Sequence, residues 1–189
     1  MALPSSCNPR LLVKKEIQTS FAQLDLRGPT THGGELSVGR RKKQRPISIK
    51  KSIHVVMMSS RAKGLYSLRA IHNKGKVEEL IWRYAKRFHI KIYKFAINFN
   101  HIHFVLKAKR RDDLQNFLRT TAGLIACLIL KAKKGVKKGK FWNLLAFSRI
   151  IEWGKAFQIV MSYVLQNELE ACVEIPYKPR RVKSKRKPP

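Results

Sequence analysis

Two histidines alternate with apolar residues in the middle of the chain, in the segment Asn-His-Ile-His-Phe-Val-Leu over residues 100–106. Side chains two positions apart point to the same face of a β-strand, so His101 and His103 are predicted to lie side by side. The intervening apolar residues are predicted to pack on the opposite face: Ile102, Phe104 and Leu106. Such a strand must belong to a sheet that other elements cover, because its apolar face needs burial.

The flanking sequence has the periodicities of a small mixed domain. Strand patterns occur in four segments: 53–58, 90–99, 101–108 and part of 141–153. Helical patterns occur in three: 77–89, a long segment from about residue 112 onward, and 154–167 or slightly beyond. Within the second strand, the alternation predicts Ile92 and Lys94 on one face and Phe95 on the other. The order β-α-β-β-α-β-α predicts an α+β fold, a ferredoxin-like antiparallel sheet with helices covering one face.

The charge balance indicates a polyanionic partner. The 189-residue chain has 41 Lys and Arg against 11 Asp and Glu, a formal net charge of +30. Such a surface attracts nucleic acid over a long range, so nucleic acid is the predicted partner. Charge alone does not separate an enzyme that acts on nucleic acid from a structural RNA binder. The longest apolar run, residues 124–130, is too short for a membrane span.

Composition divides the chain into three parts. Residues 1–50 contain several prolines, the pair Gly33-Gly34 and a basic block, and are predicted to form a basic, disordered N-terminal arm. Residues 51–173 are predicted to form the folded domain, and residues 174–189 a basic C-terminal tail. The cysteines show no CxxC spacing, which indicates reduced thiols: Cys7, Cys127 and Cys172. We therefore expect a cytoplasmic, nucleoid-associated protein with no secretory signal.

Two basic segments are candidate DNA contacts, one in the predicted arm and one in the glycine-containing loop after the long helix. The residues predicted to contact DNA phosphates are Arg40, Arg41, Lys42, Lys43, Lys133, Lys134, Lys137 and Lys138. A merely solvated loop is the alternative for any single lysine. Together, these residues predict strongly salt-dependent binding.

The histidine pair is a candidate for half of a metal site. Neutral imidazoles bind Mn²⁺ and Zn²⁺ well and Mg²⁺ less well, and two of them leave positions open for phosphate oxygens. A cation held there would polarise a phosphoryl group. The alternative is a solvent-facing pair on an edge strand. Three other histidines are interpreted as structural, although the first of them could face the same site: His54, His72 and His89.

Tyr163 is the candidate nucleophile. In a helix, Gln166 and Asn167 lie three and four positions further along and share its face, so the phenol would have two amide neighbours. The alternative is a core aromatic, since Val160 and Val164 are close by. A phenol has a pKa near 10, so a nearby cation and basic surroundings would be needed to favour the phenolate.

These segments resemble a known family. Residues 100–106 resemble the His-hydrophobic-His signature of the HUH endonucleases, and His54-Val55 fits the first strand of the pattern. Three later segments resemble the C-terminal part of the single-tyrosine (Y1) transposases: 141–142, 148–151 and 163–167. The chain is most similar to transposases associated with repetitive extragenic palindromes (REP) and to the IS200-like group. The resemblance spans residues 50–172.

The resemblance implies a metal-dependent enzyme that nicks and joins single-stranded DNA at a hairpin or palindromic repeat, as a transposase or its domesticated relative. Tyr163 would become linked to the 5′-phosphate, and His101 and His103 would hold Mg²⁺ or Mn²⁺. Insertion-sequence members usually carry Gln four residues after the tyrosine, where this chain has Asn167. The third ligand is therefore Asn167 or, as the second candidate, Gln166.

Two questions stay open at this point. Relatives complete the site within one chain or between two, so the protein is a monomer or a homodimer. The alternative function is a non-catalytic nucleic-acid-binding protein that retains the fold, such as a decayed transposase.

Overall fold

A computed structural model describes residues 30–41, 43–133, 135–136 and 138–172. The strands are β1 (Thr31–His32), β2 (Ser52–Met58), β3 (Lys91–Ile97), β4 (His101–Lys107) and β5 (Phe147–Ile151). The helices are α1 (Ile71–Arg87), α2 (Arg111–Leu130) and α3 (Lys155–Ala171), with short 3₁₀ turns at Gly34–Ser37 and Gly64–Tyr66. One antiparallel sheet has the order β1-β5-β2-β4-β3. The predicted α+β class and element order are confirmed, with β1 added before them.

The first core lies between the sheet and the helices α1 and α2. The alternate residues of β4 that point this way, Ile102, Phe104 and Leu106, are fully buried. They pack in one cluster with residues of both helices, among them Ile81 and Phe117. Burial of each such side chain contributes about 1.5–3 kcal/mol, so this face fixes the register of the central strand.

A second, smaller core lies on the opposite face of the sheet, under α3. Val105 of β4 is fully buried there and packs with Val160 and Val164 of α3. The ion pair Lys94 Nζ–Glu168 Oε2, at 2.6 Å, also joins the helix to β3. The expectation that helices cover one face is therefore wrong. The physical reason is that Val105 makes the second face of β4 apolar as well, and the valine stripe of α3 covers it.

A β-bulge in β3 explains where Lys94 points. The pairing with β4 shifts between Ile92, which lies opposite Leu106, and Lys94, which lies opposite Val105. The two residues consequently face opposite sides of the sheet, and the alternation predicted for this strand is wrong at this point. An extra residue in one strand resets the period of two.

Residues 30–41 and 43–50 are part of the folded domain, which corrects the predicted N-terminal arm in its second half. β1 pairs with β5, and the Arg45 guanidinium donates to Ser148 Oγ and to Ala146 O. Burial lowers the pKa of Arg45 to about 10. A two-residue strand held by distant contacts has no local sequence signature. The rest of the predicted arm, residues 1–29, and the predicted tail lie outside the described residues.

The Gly33-Gly34 pair forms a tight turn after β1. Gly33 has a φ of +82°, and a Cβ placed on it would lie 2.1 Å from Ala146 O. The backbone N–H of Gly34 donates to Leu145 O at 2.8 Å. Close backbone approach and positive φ together require glycine here.

No helix within the described ranges has the length and apolar character needed to cross a bilayer.

We predict that Gly33→Ala destabilises the protein more than Gly39→Ala does. Gly39 also has a positive φ, +66°, but a Cβ there would meet nothing within 4 Å. Gly39→Ala should therefore cost only the conformational penalty, about 1–2 kcal/mol. Gly33→Ala adds a backbone clash, which should lower the free energy of unfolding further. Urea unfolding followed by tryptophan fluorescence measures both, and equal losses would contradict the tight turn.

Candidate active site

His101 and His103 lie side by side on β4, as predicted, and they face the layer of α3. Their ring centroids are 4.7 Å apart and the rings are nearly perpendicular, at 86°. Ile102 and Phe104, buried on the other face, hold the strand in this orientation. His103 is itself buried, whereas His101 is half-buried at the start of the strand. Because β4 lies between β2 and β3, the pair is not on an edge strand.

Two asparagines of the β3–β4 turn hold the His101 ring. Asn100 Oδ1 lies 2.7 Å from Nδ1, and Asn98 Nδ2 lies 2.7 Å from Nε2. An amide oxygen can only accept, so Nδ1 carries the proton and Nε2 presents its lone pair. This is the neutral tautomer that binds a metal ion through Nε2, with the other nitrogen oriented by a hydrogen bond.

His54 of β2 contacts His103 within the sheet. Its Nε2 lies 3.2 Å from His103 Nδ1, and the two rings are nearly parallel. Burial, with a smaller contribution from the nearby positive charge of Arg149, lowers the pKa of His54 to about 3. His54 is therefore neutral at physiological pH. Since His103 uses Nδ1 for this contact, Nε2 is the nitrogen that a cation would bind.

Helix α3 places Tyr163 against the histidines. Its ring is perpendicular to that of His103, with 5.4 Å between ring centroids, and lies 6.2 Å from that of His54. Val160 and Val164 are buried in the second core, whereas Tyr163 is half-buried at its margin. The phenol thus packs at the edge of the core and also lines an open cleft.

Of the two candidate third ligands, the structure brings Asn167 to the histidines. Asn167 is buried, its Nδ2 donates to Tyr163 O at 2.7 Å, and its Oδ1 lies 3.4 Å from Asn98 Nδ2. Gln166 instead donates from Nε2 to Glu170 Oε1 at 2.7 Å, on the next turn of α3. The position four residues after the tyrosine therefore faces the site, and the position three residues after it does not.

The donor atoms fit a divalent cation. His101 Nε2 and Asn167 Oδ1 both lie within hydrogen-bonding reach of the same atom, Asn98 Nδ2, so two lone pairs converge on one point. Within the part of the chain that the structure describes, no three His, Cys, Asp or Glu side chains are grouped to hold a metal ion. The donors that converge here are consequently imidazole and amide groups, and a carboxylate, Glu35, lines the adjoining cleft. Such N/O sets suit Mn²⁺, and Mg²⁺ less well.

An apolar cleft of about 370 Å³ opens beside Tyr163 and His103. Its walls come from three parts of the chain: Gly34, Glu35, Leu36, Val56, Met58, Asn143, Leu144, Leu145 and Phe147, with His54 at the base. The first wall does not follow from the sequence, where residues 1–50 are predicted to form an arm. The Gly33-Gly34 pair is the sequence signal for a tight turn at this wall, but a glycine pair is equally typical of a disordered arm.

The predicted DNA-contact residues lie on the two segments that lead to this cleft. Arg40, Arg41 and Lys43 are exposed and follow the wall formed by residues 34–36. Lys133 and Lys138 are exposed in the loop before the wall at residues 143–145. Arg61 holds that loop by donating to Lys138 O at 2.8 Å and Lys140 O at 3.1 Å. The other predicted contacts lie outside the described residues: Lys42, Lys134 and Lys137.

The fold and the site define an α+β protein in which a histidine pair on the sheet and a tyrosine on a packed helix share one cleft. Residues 48–167 match the family described as IS200-like transposases, and the chain belongs to this family. This confirms the resemblance found in the sequence. No curated protein matches the sequence.

Two solved structures are similar. A REP-associated tyrosine transposase bound to a REP hairpin superposes with a TM-score of 0.55 at 12% identity, over 69% of this chain and 74% of that one. A candidate transposase from Deinococcus radiodurans R1 gives a TM-score of 0.42 at 14% identity, over 68% and 98%. The first of these supports the fold.

We predict that His54 makes the stability of the metal-free protein depend on pH. The pKa of His54 is about 3 in the folded state and near 6.5 for an unfolded histidine, so the unfolded state binds the extra proton between these values. The contribution of His54 to the free energy of unfolding is therefore fully present above pH 6.5. Below pH 6.5 this contribution should decrease by up to about 1.4 kcal/mol per pH unit.

Urea unfolding of wild type and of His54→Gln at several pH values measures this effect. Between pH 6.5 and 4.5, the free energy of unfolding should decrease less for His54→Gln than for wild type. His72 is exposed, so His72→Gln is the matched control and should keep the wild-type profile. Superimposable profiles for wild type and His54→Gln would show that His54 is not buried in neutral form.

Proposed function

We propose that this chain is a metal-dependent endonuclease and strand transferase of single-stranded DNA, with Tyr163 as the nucleophile. The observation that carries the proposal is the position of the Tyr163 ring, 5.4 Å from that of His103, on a cleft of the same chain. Membership of the IS200-like transposase family supports it. The REP-associated transposase of similar fold was solved with a REP hairpin, which supports a hairpin or palindromic repeat as the substrate here.

The proposed reaction exchanges one phosphodiester for another. The Tyr163 oxygen attacks phosphorus and loses its proton, the Tyr–O–P bond forms, and the P–O3′ bond breaks. The leaving O3′ takes up a proton, so the products are a 5′-phosphotyrosine and a free 3′-hydroxyl. Attack by a 3′-hydroxyl on the same phosphorus reverses the exchange and rejoins DNA. No water is consumed, which keeps the bond available for strand transfer.

A divalent cation, Mg²⁺ or Mn²⁺, held by His101, His103 and Asn167 would polarise the phosphoryl group and stabilise its developing negative charge. The surrounding side chains orient these ligands. Asn100 fixes the tautomer of His101, and His54 contacts Nδ1 of His103. The bond from Asn167 Nδ2 to Tyr163 O couples one ligand to the backbone of the nucleophile.

The basic segments supply the sequence-independent part of DNA binding. With 41 basic and 11 acidic side chains, most cations of the chain have no acidic group to pair with. The exposed residues Arg40, Arg41, Lys43, Lys133 and Lys138 lie on the two segments that continue along the chain into the cleft walls, and we expect them to contact DNA phosphates. Action on chromosomal DNA would place the protein at the nucleoid.

We predict that Tyr163→Phe abolishes a covalent protein–DNA adduct. The probe is a 3′-labelled single-stranded hairpin with Mn²⁺ or Mg²⁺, because the fragment that keeps the 5′-phosphate stays on the tyrosine. A denaturing gel should show the adduct for wild type and none for Tyr163→Phe or with chelator, since each removes an essential part of the reaction.

The matched control is Tyr93→Phe. Tyr93 is another half-buried tyrosine of the second core, where it packs edge-on against Trp153 and Phe157. This variant should retain the adduct. A wild-type protein that shifts the hairpin in native gels but gives no adduct with either metal would favour the non-catalytic binder. Adduct formation by a mixture of Tyr163→Phe and His101→Ala would indicate a site shared between two subunits.

We also predict that single-stranded DNA tightens Mn²⁺ binding, by about tenfold or more. Neutral imidazoles and amides leave both charges of the cation uncompensated inside a strongly basic chain, so the phosphodiester has to supply negative ligands. The coupling is reciprocal, since the cation must also tighten DNA binding.

Mn²⁺ titrations of Tyr163→Phe followed by electron paramagnetic resonance, with and without hairpin, measure this coupling. The same titration of the double variant Tyr163→Phe/His101→Ala corrects for Mn²⁺ bound by DNA itself. Equal dissociation constants with and without DNA would contradict the proposed neutral donor set.

A further inference from the structure

Asn98 lies at the point where the candidate ligands meet. It follows the last residue of β3, and its backbone N–H donates to His101 O at 2.9 Å across the turn. Asn98 is buried, with 7% of the residue exposed. The hairpin therefore fixes the position of this carboxamide relative to the His101 ring.

The two ends of the Asn98 carboxamide have opposite surroundings. Nδ2 lies between two acceptors, 2.7 Å from His101 Nε2 and 3.4 Å from Asn167 Oδ1. Oδ1 is buried and has no hydrogen-bond partner among the residues that the structure describes. A buried carbonyl oxygen without a partner is unfavourable and calls for an explanation, of which an absent ion is one.

Rotation about the Cβ–Cγ bond by a half-turn exchanges the two ends. Oδ1 would then take the place of Nδ2 and face His101 Nε2 and Asn167 Oδ1. Three lone pairs that face one another repel in the absence of a cation. With a divalent cation between them they form part of a coordination shell, and the amide nitrogen no longer needs either acceptor.

We propose that Asn98 is a further ligand of the divalent cation, through Oδ1, in addition to His101, His103 and Asn167. The proposal rests on the metal site of the proposed function. In the metal-free protein the Asn98 amide donates to the converging acceptors. On metal binding it turns and supplies an oxygen. The four protein ligands are then two imidazole nitrogens and two amide oxygens, and the remaining positions are open to phosphate oxygens and water.

A purely structural role for Asn98 predicts the opposite outcome. If the amide only fills the space between His101 and Asn167, it competes with the cation, and its removal should tighten metal binding. If it is a ligand, its removal should weaken metal binding. The sign of the change therefore separates the two roles.

The experiment measures the Mn²⁺ affinity of the full-length, DNA-free protein by electron paramagnetic resonance for wild type, Asn98→Leu and Asn98→Asp. Asn98→Leu keeps the size of the side chain without its oxygen and should weaken Mn²⁺ binding about tenfold or more. Asn98→Asp replaces a neutral oxygen by an anionic one and should tighten binding relative to wild type. Unchanged or tighter binding by Asn98→Leu, or weaker binding by Asn98→Asp, would overturn the proposal.

The matched control is Asn73, a buried asparagine of α1 whose Nδ2 donates to Leu65 O at 3.0 Å and Ser67 O at 2.8 Å. Asn73→Leu should lower the melting temperature and leave Mn²⁺ affinity unchanged. If Asn98→Leu does not fold with chelator present, Asn98→Asp decides alone. Asn98→Asp should melt at a lower temperature than wild type without metal, because aspartate cannot donate to His101 or Asn167, and Mn²⁺ should raise its melting temperature more than that of wild type.

His101→Ala separates failure of this proposal from failure of the proposed function. If His101→Ala binds Mn²⁺ as tightly as wild type, the metal site itself is wrong. If His101→Ala loses affinity and Asn98→Leu does not, the metal site stands and only the role of Asn98 is rejected.

Discussion

The alternation of β4 between two buried layers is the constraint on which the rest of the structure depends. Ile102, Phe104 and Leu106 are fully buried in the core with α1 and α2. A register slip of one residue would move these side chains to the face of the histidines and bury the histidines in the apolar core with α1 and α2, which is energetically prohibitive. The free energy of packing on one face therefore holds His101 and His103 in place on the other.

The second face combines a small core with the site. Val105 anchors the valine stripe of α3, and the histidines occupy the next positions along the same strand. Tyr163 and Asn167 lie on the same helix as Val160 and Val164. Packing of the two valines against the sheet therefore also positions the phenol and the amide next to the histidine pair. A single packing contact thus serves both stability and the geometry of the site.

The chemical character of the site follows from its donors. In the described part of the chain, histidines and asparagines surround the point at which His101 Nε2 and Asn167 Oδ1 converge, and no acidic cluster accompanies them. A neutral site in a chain of net charge +30 has little attraction for a cation on its own. A polyanionic substrate would supply the negative charge that the convergent donors lack, so charge composition and donor type both favour the proposed partner.

The sequence by itself determined the strand–helix order and the facing of the histidine pair, because periodicities of two and 3.6 are local properties of the chain. Tyr163 became the candidate nucleophile through the resemblance of residues 163–167 to the Y1 transposases, since its spacing fits a core aromatic as well. Tertiary structure alone decided what depends on distant partners. β1 pairs with β5, and Arg45, which donates to Ser148, helps to hold residues 43–50 against the sheet. The bulge before Lys94 turns that lysine towards Glu168. That Asn167 and not Gln166 faces the histidine pair, and that Asn98 and His54 lie beside this pair, depends on how α3 meets the strands β2, β3 and β4. No spacing along one segment encodes a contact of that kind, since it is set by the packing of side chains that lie about 50 to 70 positions apart.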